Sequence, residues 1–155
     1  MWAVRAGSQP NGWDYGHLCE VWTDGVVCPR ITVRYMAKKL VIKVTAGADA
    51  PERCSQAFTV AAVAAASGVE VSLWLTGESA WFALPGRAAE FELPHAAPLP
   101  DLIESIQASG QITLCTQCAV RRDIAEKDVL DGVRIAGAQV FVSEIMPDGV
   151  QALVY

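Results

Sequence analysis

Leu40 to Gly77 reads LVIKVTAGADAPERCSQAFTVAAVAAASGVEVSLWLTG, and the change of period within it decides the fold. LVIKVT, Leu40 to Thr45, is rich in β-branched residues and stops at Gly47, as a buried strand does. Asp49 and Glu52 have capping-box spacing, with Pro51 in the first turn, where a missing N–H costs little. Arg53 to Ser67 then carries a broad Ala/Val face and predicts a helix stopped by Gly68. VEVSLWL, Val69 to Leu75, predicts a second strand closed by Thr76 and Gly77.

The alternation continues toward the C-terminus. A short helix is expected through Glu78 to Leu84. A loop with four prolines between residues 85 and 100 follows, with a short extended piece at Ala89 to Leu93. Asp101 to Ser109 is amphipathic and ends at Gly110. Gln111 to Cys115 is the third core strand. Short helices are expected at Thr116 to Arg122 and Glu126 to Leu130, then a strand in Gly132 to Gly137, a helix in Ala138 to Met146 and a last strand in Val150 to Tyr155. Strand and helix alternating in this way predict an α/β fold: a three-layer open sheet, mostly parallel, with helices on both faces.

Residues 1–36 depart from this pattern. They hold three of the five tryptophans and two of the five cysteines, without a sustained period of either kind. The reading is an N-terminal extension before a domain at 37–155, with Met36 expected as the physiological start. The rival expectation is an appended hairpin in CEVWTDGVVC, Cys19 to Cys28, turning at Asp24 and Gly25.

Composition narrows the function classes. The chain has 155 residues, 52% of them hydrophobic, and a formal net charge of −5. That balance argues against nucleic acid or an anionic membrane as the main partner. The longest apolar stretch, Ala57 to Leu75, is broken by Ser67, Gly68 and Glu70 and falls short of a clean membrane span. No secretory signal is legible, and the odd, scattered cysteines do not resemble a disulfide framework, so a reducing cytoplasm is expected.

Sites in open α/β sheets lie beyond the carboxyl ends of the strands. Three loops meet that condition: AGADAPE after the first strand, TGES after the second and CTQC after the third. None is a phosphate-binding fingerprint. Ser79 lacks a nucleophile-elbow context and reads as a helix-start residue. Cys54, inside the first helix, reads as core.

Cys115 and Cys118 carry the strongest chemical suggestion. A thiolate at a strand end facing a helix start is favoured by unpaired N–H groups, and Arg121 and Arg122 lie three and four residues beyond Cys118. A thioredoxin-type dithiol normally follows an early strand and faces a proline before a later one. Here the pair comes late, and the only later proline, Pro147, belongs to a turn. A zinc site needs four ligands, and only Cys54 and His95 are added within 37–155, or Cys19, Cys28 and His17 from the N-terminal region. No metal and no cofactor is therefore expected. A single nucleophilic or sulfur-accepting cysteine with an auxiliary neighbour fits the spacing, and so do two buried core thiols. The residues alone leave both readings open.

Residues 38 to 155 resemble the DsrE/DsrF-like family, which includes sulfur-relay proteins. The resemblance rests on ordered segments: the first strand, an Ala-rich helix after D-x-P-E, GVEVSLWLTGE, the cysteine segment, EKDVLDGVRIAGA and a closing strand. It implies a small α/β domain, homotrimers or homohexamers, and a persulfide carried on a cysteine after a core strand, before a helix with paired arginines. Cys115, with Arg121 and Arg122, matches that position. Cys118 stands where relay members usually have a small residue, and Asp123 where they often have glycine. The expectation is a cytoplasmic sulfur-transfer or thiol-redox protein with Cys115 as persulfide carrier, Cys118 as resolving thiol, and sulfur-donor and acceptor proteins as partners. The alternative is a non-catalytic oligomeric module whose strand-end crevice, at Gly47, Asp49, Thr76 and Gly77, holds a small ligand or a protein.

Overall fold

The computed structural model describes residues 39–155; the expected extension at 1–36, its hairpin and the Met36 start lie outside the described residues. Within them the chain runs β1 (Lys39–Val44), α1 (Pro51–Ala66), β2 (Glu70–Leu75), α2 (Leu99–Gln107), β3 (Gln111–Cys115), α3 (Thr116–Val120), β4 (Arg134–Ala136), α4 (Ala138–Ile145) and β5 (Val150–Val154). Single 3-10 segments at Gly77–Ala83, Arg87–Glu90 and Glu126–Asp128 fill the connections.

The strands form a five-stranded sheet in the order β4-β3-β2-β1-β5, and each neighbouring pair is parallel. The order carries the chain outward from β1 to β4. It then returns across the sheet through α4, so that β5 pairs with the free edge of β1. The expected parallel α/β sheet is the observed one.

Period-two alternation divides the strands between two faces. Ile42 and Val44 of β1, Leu73 and Leu75 of β2, and Ile112 and Leu114 of β3 join the main core. From the helices, Cys54, Phe58, Ala61 and Ala65 of α1 and Ile103 and Ile106 of α2 complete it. The α1 residues recur at helical spacing, and their small size lets the helix lie close to the sheet. The opposite face carries Val41, Ser72, Trp74 and Thr113, all buried. Phe141 of α4 rests edge-on against Trp74, with ring centroids 5.3 Å apart. Helices thus cover both faces, although α4 buries none of its own side chains.

The differences from the sequence reading are local. No capping box forms at α1: Ala50 is the cap residue, and the Asp49 carboxylate instead accepts the Gly47 N–H at 2.7 Å. The extended piece expected at Ala89 to Leu93 is not a strand. Residues 87–90 turn as a 3-10 segment, and Phe91 packs edge-on against Phe82 at 5.6 Å, so an aromatic contact holds this loop where a ladder was expected. The helix expected to reach Arg122 stops at Val120. Among the described residues no helix is long and apolar enough to cross a membrane.

Candidate thiol site and its surroundings

The site lies where the loops after β1, β2 and β3 meet. Gly77, with φ of +54°, makes the meeting possible, because a Cβ there would stand 2.6 Å from the Thr45 carbonyl oxygen. Only glycine adopts this conformation and this approach without strain. Gly47 is equally confined: a Cβ would come within 2.9 Å of Glu78. The Glu78 N–H donates to the Thr45 carbonyl at 3.0 Å and closes the contact between the first two loops.

Thr76 and Ser79 tie these loops to β1. The Thr76 hydroxyl donates to the Val44 carbonyl at 2.7 Å, and the Thr76 N–H donates to Ser79 Oγ at 3.0 Å. Ser79 is fully buried, with its Oγ 2.8 Å from the Val44 carbonyl oxygen. That environment fits a residue that organises the turn. Of the expected crevice residues, Gly47 bonds to Asp49, Thr76 to β1 and Ser79, and Gly77 packs against Thr45, so their polar groups are taken up within the loops and β1 or, for the Gly77 N–H, by the third loop.

The third loop brings the cysteines. Cys115 ends β3, pairs in register with Ala136 of β4 and is half-buried. Cys118 sits within α3, is 7% exposed, and its Sγ accepts the Gly77 N–H at 3.2 Å. Both thiols are free. The two cysteines thus differ in kind. Cys115 is partly open at a strand end, whereas Cys118 is drawn inward onto the β2 loop.

The arginine pair separates. Arg121 is exposed. Arg122 folds back, with its guanidinium 2.6 Å from Glu78 Oε1 and its centre 5.6 Å from the Trp81 ring. Its second nitrogen lies 3.4 Å from the Cys118 carbonyl oxygen. Arg122 therefore braces α3 against the β2 loop. Sequence reasoning put both arginines beside Cys118 but had no signal for Glu78, which lies 44 residues away.

Asp123 explains how α3 ends. Its φ is +54°; its N–H donates to the Val120 carbonyl at 3.2 Å, and the Ile124 N–H donates to the Ala119 carbonyl at 3.0 Å. These two bonds make a Schellman ending with Asp123 in the left-handed position that usually holds glycine. Ile124, 8% exposed, adds the apolar contact that accompanies such an ending.

Cys54 belongs to the core. It is fully buried, and burial, reinforced by the negative charge of Asp49, pushes its thiol up to about 12. Among the described residues no three His, Cys, Asp or Glu side chains converge as a metal site would require.

Two features escaped the sequence reading. One is a polar cluster under α4. Glu144 Oε2 accepts the Ser72 hydroxyl at 2.6 Å and the Trp74 indole N–H at 2.9 Å, while Arg134 donates to Oε1 and to Thr113 Oγ1. Burial raises the Glu144 pKa, but the three hydrogen bonds and the Arg134 charge outweigh it and hold the carboxyl below its usual range. A lone Glu in the apolar run AQVFVSEIM, with Ser72 and Thr113 among buried strand residues, was the available signal. The other is a cleft of about 190 Å³ beside the thiol loops, lined by Ala48, Glu78, Trp81, Phe82, Arg87, Glu90 and Phe91.

Comparison with known proteins agrees with this architecture. The DsrE/DsrF-like family model matches residues 38–153. An uncharacterized protein of Methanocaldococcus jannaschii is 30% identical over 114 residues, 73% of this chain. The chain spans 42% of that relative's length. The crystal structure of the ychN protein from E. coli aligns with a TM-score of 0.62 at 18% identity, covering 77% of this chain and 100% of that one, a likeness of fold. With the ordered segments of residues 38–153 and the parallel sheet both in place, the chain belongs to the DsrE/DsrF-like family.

Proposed function

We propose that this protein carries sulfur as a persulfide on Cys115, with Cys118 as the resolving thiol, and exchanges it with donor and acceptor proteins in the cytoplasm. The observation that carries the reading is the unequal setting of two free thiols one helical turn apart. Cys115 is partly open at the strand end, and Cys118 is buried with an N–H donor at its sulfur. Membership of a family that includes sulfur-relay proteins supports the same chemistry, and the free state of all three cysteines among the described residues suits a reducing compartment.

The steps use no metal. The Cys115 thiolate attacks the outer sulfur of a donor persulfide, the donor's S–S bond breaks, and the donor leaves as a thiolate. Cys115 then bears the extra sulfur. The Cys118 thiolate can attack Cys115 Sγ, forming a Cys115–Cys118 disulfide and expelling hydrosulfide; an external thiol afterwards reduces that disulfide. Alternatively, an acceptor thiolate takes the outer sulfur and leaves Cys115 as a thiolate. Arg122, anchored on Glu78 and Trp81, keeps α3 in place throughout, while Arg121 remains free to meet an acidic partner.

Self-association as a trimer or hexamer belongs to the same reading. Val142 of α4, Met146 just after it and Val154 of β5 are exposed, apolar side chains suited to contact with another copy.

The test is mass spectrometry after incubation with a persulfide donor. The parent should gain one sulfur or form the disulfide. Cys118→Ser should hold the added sulfur longer, and Cys115→Ser should gain none. Absence of both added sulfur and disulfide in the parent would refute the proposal in favour of a non-catalytic module.

A further inference from the structure

The geometry points to the outer edge of β5 as a two-fold contact with a second copy of this chain. The inference rests on the self-association in the reading above and names how two copies meet. Two strands end the sheet, and they differ as edges. β4 has three residues, a short edge of the kind that resists pairing. β5 has five, VQALV, with neither charge nor proline, and Gln151, Ala152, Leu153 and Val154 are exposed.

Hydrogen bonds fix which backbone groups are free. The Tyr155 N–H donates to the Lys43 carbonyl and the Tyr155 carbonyl accepts the Thr45 N–H, both at 2.9 Å, so both groups face β1. In a parallel ladder this orientation repeats at every second residue, so Gln151 and Leu153 also face β1. Val150, Ala152 and Val154 therefore turn their backbone groups to the open edge. The Val150 N–H is taken up in the preceding turn, 3.4 Å from the Pro147 carbonyl oxygen. The Val150 carbonyl and both groups of Ala152 and Val154 have no partner among the described residues.

An antiparallel copy of β5, turned about an axis through Ala152, engages these groups. Ala152 exchanges both bonds with the second copy's Ala152, and Val154 of each copy lies opposite Val150 of the other. Register with β1 puts Val150, Ala152 and Val154 beside Lys39, Val41 and Lys43, on the side of the sheet where Lys43 meets Phe141 of α4. On that side the seam is apolar along its length, with no like charges opposed. A foreign strand would share the backbone bonds but not this matched row, so a second copy is the occupant. A cyclic trimer contains no such two-fold, whereas a dihedral hexamer does.

Sedimentation equilibrium of the 155-residue chain tests this. Ala152→Pro removes the outward N–H and leaves the bonds to β1 in place. It should weaken the contact roughly thirty-fold, since each copy loses one bond, and leave a species of half the parent mass. Ala152→Lys and Ala152→Glu each oppose like charges at the axis and should weaken it roughly five-fold. Mixed in equal amounts, those two variants should recover the parent mass, a result that a folding defect does not produce. Sulfur gain at Cys115, read by mass on the same samples, should persist in Ala152→Lys. Loading without even-numbered assembly refutes this contact alone; assembly without loading refutes the carrier reading alone. A monomeric or trimeric parent, parent-like assembly in Ala152→Pro, or a mixture no heavier than its components would overturn the proposal.

Discussion

Replacing Glu144 by alanine should be among the most damaging single changes on the α4 face. The carboxylate is the shared acceptor for the Ser72 hydroxyl and the Trp74 indole N–H, whose residues are 1% and 2% exposed. Leaving a buried donor unpaired costs about 1–3 kcal/mol, so the two together cost roughly 2–6 kcal/mol. Arg134 is 40% exposed and can return to water, so loss of its ion pair adds at most about 1 kcal/mol. The expected loss is about 3–5 kcal/mol, a large share of a domain's total stability. Urea unfolding of the parent and variant measures it.

A double-mutant cycle separates the network from generic packing. Trp74→Phe keeps most of the ring but removes the donor, so it should cost about 1–2 kcal/mol less when Glu144 is already absent. The pH dependence has a definite sign. Because the folded carboxyl is held below its ordinary value near 4.5, its contribution is complete above that value and fades as pH falls through the lowered folded value. The gap between parent and Glu144→Ala should therefore narrow in acid. A loss under about 1 kcal/mol, or additive effects of the two substitutions, would refute the assignment of Glu144 as the acceptor that satisfies this face.

Two further outcomes follow from the described geometry. Cys54 titrates near 9.0 when free and is pushed up to about 12 in the fold, so the unfolded chain releases this proton first. Between those values stability should fall by about 1.4 kcal/mol per pH unit from this group alone, and Cys54→Ala should remove that slope from the urea-unfolding profile. Asp123→Gly should raise the unfolding free energy by roughly 0.5 kcal/mol, read as a higher urea midpoint, because glycine holds the left-handed ending of α3 without a Cβ penalty; a fall would show that the Asp123 side chain contributes a compensating contact.

How much of this was legible in the sequence depends on how local each cause is. The strands at Leu40, Val69 and Gln111 were readable because each is a short, mostly apolar run bounded by glycine or turn residues. α1 was readable because its Ala/Val face repeats at helical spacing. The Ala89 to Leu93 segment was misjudged because alternating residues look extended whether or not a ladder is available, and here Phe82 captures Phe91 first. The Asp49 to Glu52 spacing promised a cap, but Gly47, crowded against Glu78, offers its N–H to Asp49.

For the site, the sequence by itself determined that Cys115 ends a strand and that Cys118 follows within a short helix, since both follow from neighbours a few residues away. Only the tertiary structure decided that the two thiols differ. The Gly77 N–H reaches Cys118 across 41 residues of chain, Arg122 finds Glu78 across 44, and Glu144 gathers Ser72 and Trp74 across 72 and 70. Such contacts are set by strand order and by how closely the loops pack, and a one-dimensional pattern carries neither.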